Sequence, residues 1–171
     1  YVPTITTPAA QRRVTLTSVG VVVSNTNLLL TATASASSSR GSNTPDRAKD
    51  GNDNTQWQAD TQGSGEWLAM DFGSAVAADR VVIVENANIN GVTIESSSNG
   101  STWTTVAGLS VIESPSKTWT ATFTVVSARY LRSVLTASGS GVRVSVEEME
   151  TYLMSGAPVS FTNDGEFTTT W

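Results

Sequence analysis

Residues 47–57 read RAKDGNDNTQW, and between Asp50 and Thr55 they present two aspartates, two asparagines and a threonine hydroxyl. Side-chain oxygen at that density, with no sulfur or imidazole beside it, suits the holding of a hard cation. The ligands of such an ion are carboxylates, amide and hydroxyl oxygens and main-chain carbonyls. The same residues also populate ordinary polar turns, because Asp, Asn and Gly adopt turn backbone readily. The spacing is not that of an EF-hand: counting from Asp50, the sixth residue is Thr55 rather than Gly and the twelfth is Thr61 rather than Glu. On the loop alone, a turn and a cage both stand.

A distant carboxylate bears on the choice. In VRVSVEEMETY (142–152), Val144, Val146 and Glu148 fall in phase, so a single strand that buries the valines would carry Glu148 inward. A buried carboxylate is costly unless it is paired or bound to a cation, and no lysine lies near it in sequence. A strand end or bulge at this point would instead release it to solvent.

Two absences narrow the chemistry further. The chain has no cysteine, so disulfides, thiolate nucleophiles and thiolate metal sites are excluded. It has no histidine, which removes the commonest general base and transition-metal ligand. Only carboxylate chemistry remains for an enzyme. The pairs Asp60 with Glu66 and Glu147 with Glu148 are better explained by polar loops and cation binding than by a cleft. The chain therefore reads as a non-enzyme. A net charge of −5 argues against nucleic acid, whose phosphates call for clustered Lys and Arg. No apolar run approaches the ~20 residues that span a bilayer.

The elements that must position these residues are short strands. Charged residues are only 15% of the chain, and Ser, Thr and Asn supply the remaining polarity, a composition suited to pleated, half-solvated strands. Strand-like stretches run at 14–23, 27–37, 66–73, 79–85, 92–106, 118–125, 129–135 and 142–152. Asn99-Gly100 inside the 92–106 stretch predicts a tight hairpin turn. No stretch combines helix caps with a sustained 3.6-residue period. The pattern predicts an all-β, antiparallel sandwich over residues 27–152. Segments 1–26 and 153–171 read as connectors, added strands or a tail.

Six pieces occur in order: NLLLTATASASSS, RAKDGNDNTQW, EWLAMDFG, SSSNGSTWTTV, ARYLR and VEEMETY. Together they resemble the discoidin, or coagulation-factor type C, domains, which include many galactose-binding-like carbohydrate-binding modules. The resemblance covers roughly residues 27–152 and implies a jelly-roll sandwich of about eight antiparallel strands. It also implies a structural calcium ion held by the side chains of Asp50, Asn52, Thr55 and Glu148, with main-chain carbonyls from Arg47 and Glu147. Ligands in this family meet the loops at the end of the sandwich beside the calcium. The corresponding loops here carry Arg40, Asn43, Asp60, Gln62, Asn86, Asn88 and Arg143 as hydrogen-bonding candidates.

The implied partner is a glycan or glycoconjugate, in an extracellular, cell-surface or virion-surface setting. The alternative is an adhesion or assembly module touching neighbouring subunits of a larger appendage. Galactose-preferring members often use a loop histidine, which this chain lacks. The polar loops argue against a phospholipid surface. Trp57, Trp67 and Trp103 match family core positions and are expected in the interior; Trp119 is expected in the core or half-buried.

Overall fold

The computed structural model describes residues 26–154 apart from Ala87. The strand-like stretch 14–23 and nearly all of both terminal segments lie outside the described residues. Nine strands follow in order: β1 (Thr33–Ala36), β2 (Trp57–Gln58), β3 (Glu66–Val84), β4 (Ile89–Ser97), β5 (Thr104–Thr105), β6 (Ser110–Glu113), β7 (Thr118–Ala137), β8 (Ser145–Val146) and β9 (Glu148–Tyr152). Every pairing between them is antiparallel.

Two long strands build both layers of the sandwich. The first part of β3 pairs β1 and its last part pairs β9. β7 likewise pairs β6 early and β4 late, while β3 and β7 run beside each other throughout. One layer is thus β1–β3–β7–β4–β5, and the other is β9–β3–β7–β6. The turn from layer to layer falls at the β3–β7 register shifts between Asp71 and Val76 and between Ala78 and Arg80. Strands that switch sheets do so through such bends.

Gly73 takes φ 77° at the bend, a conformation that costs glycine little. The Asp71 carboxylate accepts the Gly73 N–H at 2.7 Å. Leu68, Met70, Ile94, Leu131 and Leu135 of the first layer meet Val81, Ile83, Trp119, Ala121 and Met149 of the second in one core.

The ends of the sandwich are closed by short pieces. β2 and β8 form a separate ladder, Trp57 opposite Val146 and Gln58 opposite Ser145. Leu28–Thr31, expected to begin a strand, forms a 3₁₀ turn instead. Asn27 explains the change: its Oδ1 accepts from Leu29 N (3.0 Å) and from Thr151 N (3.1 Å), capping the turn and covering an edge of β9. The turn at Asn99-Gly100 is wider than a two-residue hairpin, since Ser96 pairs with Thr104 across the loop. Asn99 Oδ1 accepts the N–H groups of Ser101 and Thr102, which sets that wider loop.

Two tryptophans depart from expectation. Trp57 is fully buried and Trp119 buried, whereas Trp67 and Trp103 are half-buried and outside the core. The cause is strand phase: Leu68 and Met70 take the inward face of β3, so Trp67 takes the outward one. There the Arg132 guanidinium lies 4.3 Å from the Trp103 ring centroid and 5.6 Å from that of Trp67. Arg132 Nε also donates to Glu95 Oε2 at 2.6 Å, and Tyr130 meets Trp103 edge-on at 6.4 Å. A planar cation between two indoles stabilises this outer stack.

Beside it Arg129 grips Asp71 through two bonds of 2.8 Å. The Arg129 bond, with help from the Gly73 N–H, lowers the Asp71 pKa from 3.8 to about 2. A carboxyl whose folded pKa is depressed contributes stability above its unfolded pKa and loses it as pH falls toward the folded one. The Asp71 contribution should therefore vanish between about pH 4 and about pH 2. Asp71→Asn removes that dependence, so urea midpoints of parent and variant should converge across this window. Curves that stay parallel down to acid pH would show that the pair does not couple to folding.

Candidate functional site

The oxygen-rich loop follows a 3₁₀ turn, Pro45–Ala48, that begins on a proline and buries Ala48. Proline suits the first helical position because its missing N–H would be unpaired there anyway. Beyond it the chain turns at Gly51, φ 76°. Here the loop meets the last strand: Gly51 N and Asn52 N both donate to Glu148 Oε1, at 2.7 and 2.9 Å.

Asp50 Oδ1 accepts from Asn52 N at 3.0 Å. Thr55 Oγ1 lies 2.8 Å from Asp50 Oδ2, 3.1 Å from the Asn52 carbonyl and 3.4 Å from the Arg47 carbonyl. A hydroxyl has one hydrogen for these three acceptors. Oxygens crowded around a single proton are the arrangement a cation relieves. The Asn52 side chain is turned elsewhere, its Oδ1 accepting from Asn54 N (3.1 Å) and Asn54 Nδ2 (3.2 Å). Asn52 therefore faces Thr55 with its main-chain oxygen.

Glu148 is buried, 8% exposed, by a route different from strand phase. β8 and β9 are separate strands, and the alternation breaks at Glu147, whose N–H donates to Val84 O. Met149 and Thr151 then take the inward positions of β9, and Glu148 faces outward opposite Val84. The 50–52 loop is what covers it. Burial raises its pKa, and the neighbouring Asp50 carboxylate adds to the rise against the pull of the Asn52 and Gly51 N–H bonds. Neither Asp50 nor Glu148 takes part in an ion pair among the described residues. No three acidic side chains converge on one point there. A cation at this place would rely on carbonyl and hydroxyl oxygens besides two carboxylates.

The loops expected to meet a ligand gather at one end. Arg40 N donates to Gln58 O at 2.9 Å, and its Nη1 to Gln58 Oε1 at 3.4 Å. Arg143 Nε donates to the Asp60 carbonyl at 2.8 Å, leaving the Asp60 side chain exposed; Gln62 is exposed nearby. Asn88 is half-buried and donates to Ser145 Oγ at 3.0 Å, so it ties its loop to β8. Asn43 and Asn86 share a polar depression of about 380 Å³ with Arg47, Asp53, Asn54, Thr55, Gln56 and Glu147, so it opens onto the oxygen-rich loop itself.

The side chains of Asp53, Gln56 and Glu147 were not among the sequence candidates for ligand contact. Their signal, had it been weighed, was adjacency to the cation loop and to the strand break. Burial raises the Glu147 pKa, and the negative charges of Asp53 and Glu85 add to it. Glu85 itself is buried and fixes the 85–89 turn by accepting from Asn88 N (2.6 Å) and Ile89 N (3.3 Å).

The F5/8 type C domain pattern matches residues 31–149. Among solved structures, a chitosan-binding module 1 of a chitosanase/glucanase from Paenibacillus sp. IK-5 is 31% identical, with a TM-score of 0.64. The match covers 74% of this chain and 98% of that one. The family 32 carbohydrate-binding module of C. perfringens NanJ, in complex with galactose, is 25% identical over 75% and 98% of the two chains, TM-score 0.62. The family 32 module of AlyQ, in complex with 4,5-unsaturated mannuronic acid, is 26% identical over 70% and 92%, TM-score 0.58. A search of curated proteins gives no significant match. With the domain pattern spanning most of the described residues and the strands ordered as a two-layer sandwich, the chain belongs to the F5/8 type C family.

Proposed function

We propose that this domain is a non-catalytic glycan-binding module, whose ligand meets the loop end of the sandwich at the depression shared by Asn43 and Asn86. The observation that carries the reading is the depression itself, whose polar walls come from residues 43 and 47, 53–56, 86 and 147, beside a wider meeting of loops. Residues 37–46 meet 58–66, residues 138–143 meet 58–66, and residues 85–91 meet the β8 corner. Relatives at 25–31% identity whose structures are described as chitosan-binding or bound to galactose support it.

Amide side chains offer a donor and an acceptor side by side, which is what adjacent sugar hydroxyls require. Recognition at the depression would be polar, since Trp67 and Trp103 stack with Arg132 on a sheet face. The carboxylates that an enzyme reading would need have other roles. Glu66 accepts from the Ser37 and Ser38 hydroxyls, and Glu148 anchors the 50–52 loop.

The cation loop fits Ca²⁺, which accepts mixed carboxylate, hydroxyl and carbonyl oxygens in flexible geometry. Asp50, Thr55 and Glu148 would hold it by side chains, with the carbonyls of Arg47, Asn52 and Glu147 completing the set. Its contribution would be structural, tying the first loop to the last strand and fixing the adjacent depression. An extracellular, cell-surface or virion-surface setting suits such a module. The alternative of an assembly or adhesion module would rest on the terminal segments packing against a neighbour, and of these only Thr26, Leu153 and Met154 are described.

Titration of a panel of oligosaccharides, followed residue by residue by NMR, tests the reading. Shifts should cluster at Asn43, Gln56, Asn86 and their loop neighbours. Asn86→Ala, an exposed change, should weaken binding about fivefold, the equivalent of one hydrogen bond of ~1 kcal/mol, at unchanged melting temperature. Shifts confined to the sheet faces would overturn the placement.

A further inference from the structure

We propose that the Asn99-Gly100 loop is a site of self-modification, where Asn99 is converted to aspartate and isoaspartate through a cyclic imide. The chemistry is an intramolecular acyl transfer. The Gly100 main-chain nitrogen bonds to the Asn99 side-chain carbonyl carbon and the amide leaves as ammonia. Water then opens the ring at either carbonyl. One water is consumed and one ammonia released, and a carboxylate replaces a carboxamide.

The loop holds the parts that such a transfer needs. The nucleophile belongs to a glycine, which has no side chain to crowd the ring. Its N–H donates to Ser97 Oγ at 2.9 Å, and the Ser97 hydroxyl donates in turn to Asn99 Oδ1 at 3.2 Å. That hydroxyl is placed to take the proton of the attacking nitrogen while handing its own to the oxygen on which charge develops. Ser97 is buried, so water does not compete for this relay. Asn99 Oδ1 also accepts from Ser101 N (2.9 Å), Thr102 N (2.9 Å) and Ser101 Oγ (3.0 Å). Donors gathered on that oxygen stabilise the charge of the tetrahedral intermediate. The leaving nitrogen, Asn99 Nδ2, has no hydrogen-bond partner among the described residues, and Asn99 is exposed to the water that opens the ring.

The same molecule carries a control. Asn90-Gly91 repeats the dipeptide, again with an exposed asparagine. It lies within β4, where Gly91 is paired with Thr136, and no donor reaches the Asn90 carboxamide among the described residues. The two dipeptides differ only in what surrounds the reacting atoms.

The site also has a structural readout. A Cβ on Gly100 would stand 3.2 Å from Tyr130 Cζ, so the main chain there lies against that ring. Isoaspartate lengthens the main chain by one carbon at this contact and should displace Tyr130 from Trp103, its edge-on neighbour. A change in tryptophan fluorescence should follow the modification.

The experiment incubates the whole protein at mildly alkaline pH and follows each asparagine by peptide mapping. Isoelectric focusing counts the charge that each event adds to the net −5. Asn99 should be lost about tenfold faster than Asn90 in the folded protein, less than a buried oxyanion site gains because this loop is open to water. In urea the two rates should converge. Ser97→Ala removes the relay and Ser101→Ala removes a donor; each should slow Asn99 severalfold and leave Asn90 unchanged. Ser101 is exposed, so its variant keeps the comparison sound should Ser97→Ala fold poorly. An Asn99 that outlasts Asn90, or that reacts no faster folded than in urea, overturns the proposal, because the loop's hydrogen bonds would then shield the amide. Rates indifferent to both serine substitutions overturn it as well.

Discussion

Trp57→Ala is expected to cost about 3–5 kcal/mol of folding stability, the range for deleting a large buried aromatic side chain. Trp57 is fully buried, and β2, which carries it, is only two residues long. That strand is held in place by its ladder to β8 and by the ring itself. The indole Nε1 donates to the Ser38 carbonyl at 2.9 Å, so truncation leaves a cavity and a half-buried acceptor without its donor.

The loss would spread to the binding end, because residue 38 opens the 37–46 loop. Trp103→Ala provides the contrast. It removes a half-buried ring and one cation–π contact, a change of about 1–2 kcal/mol. Urea unfolding of the two variants decides the matter. Equal costs would mean that Trp57 is not packed as a core residue while Trp103 lies outside the core.

The same pair of tryptophans shows what sequence can and cannot reveal. Period-two alternation in EWLAMDFG puts Leu68, Met70 and Phe72 on one face of β3, where the first two are fully buried and Phe72 is half-buried against the core. It could not say that Trp67 on the opposite face would meet Arg132, because that partner comes from a strand 65 positions later in the register. Gly73 and the small residues after it read as a break between strands 66–73 and 79–85. The chain continues through them as one bent strand, since bulges absorb the turn between layers.

Glu148 is the most instructive residue. Its burial was legible, but the strand phase used to infer it breaks at Glu147, and the actual cause is a loop 96 residues away in sequence. The oxygen donors of that loop were visible as residue types. Which atom each presents was not: Asn52 turns its side chain to Asn54 and its carbonyl toward Thr55. The depression was less legible still. Its walls come from four separate stretches, and no local pattern records their meeting.

Calcium should raise the melting temperature of the metal-free protein by roughly 5–10 °C at a concentration a hundredfold above its dissociation constant. Linkage then supplies about 2.7 kcal/mol, and a domain of this size gains about 2–4 °C per kcal/mol. The physical reason is the state of the cage without an ion. Burial works against the ionisation of Glu148, and the neighbouring Asp50 carboxylate works against it further. A divalent cation converts that repulsion into attraction to both.

Magnesium should be a poor substitute, because it demands regular octahedral geometry and gives up water reluctantly. Two variants separate ligation from loop anchoring. Asp50→Ala should abolish the calcium response. Glu148→Gln keeps an oxygen to accept from Gly51 N and Asn52 N but removes the charge. It should leave the metal-free protein close to the parent in stability while losing most of the rise with calcium. A parent protein whose melting point ignores both calcium and chelator would reduce the loop to a hydrogen-bonded turn. An Asp50→Ala variant that still responds in full would move the ion elsewhere.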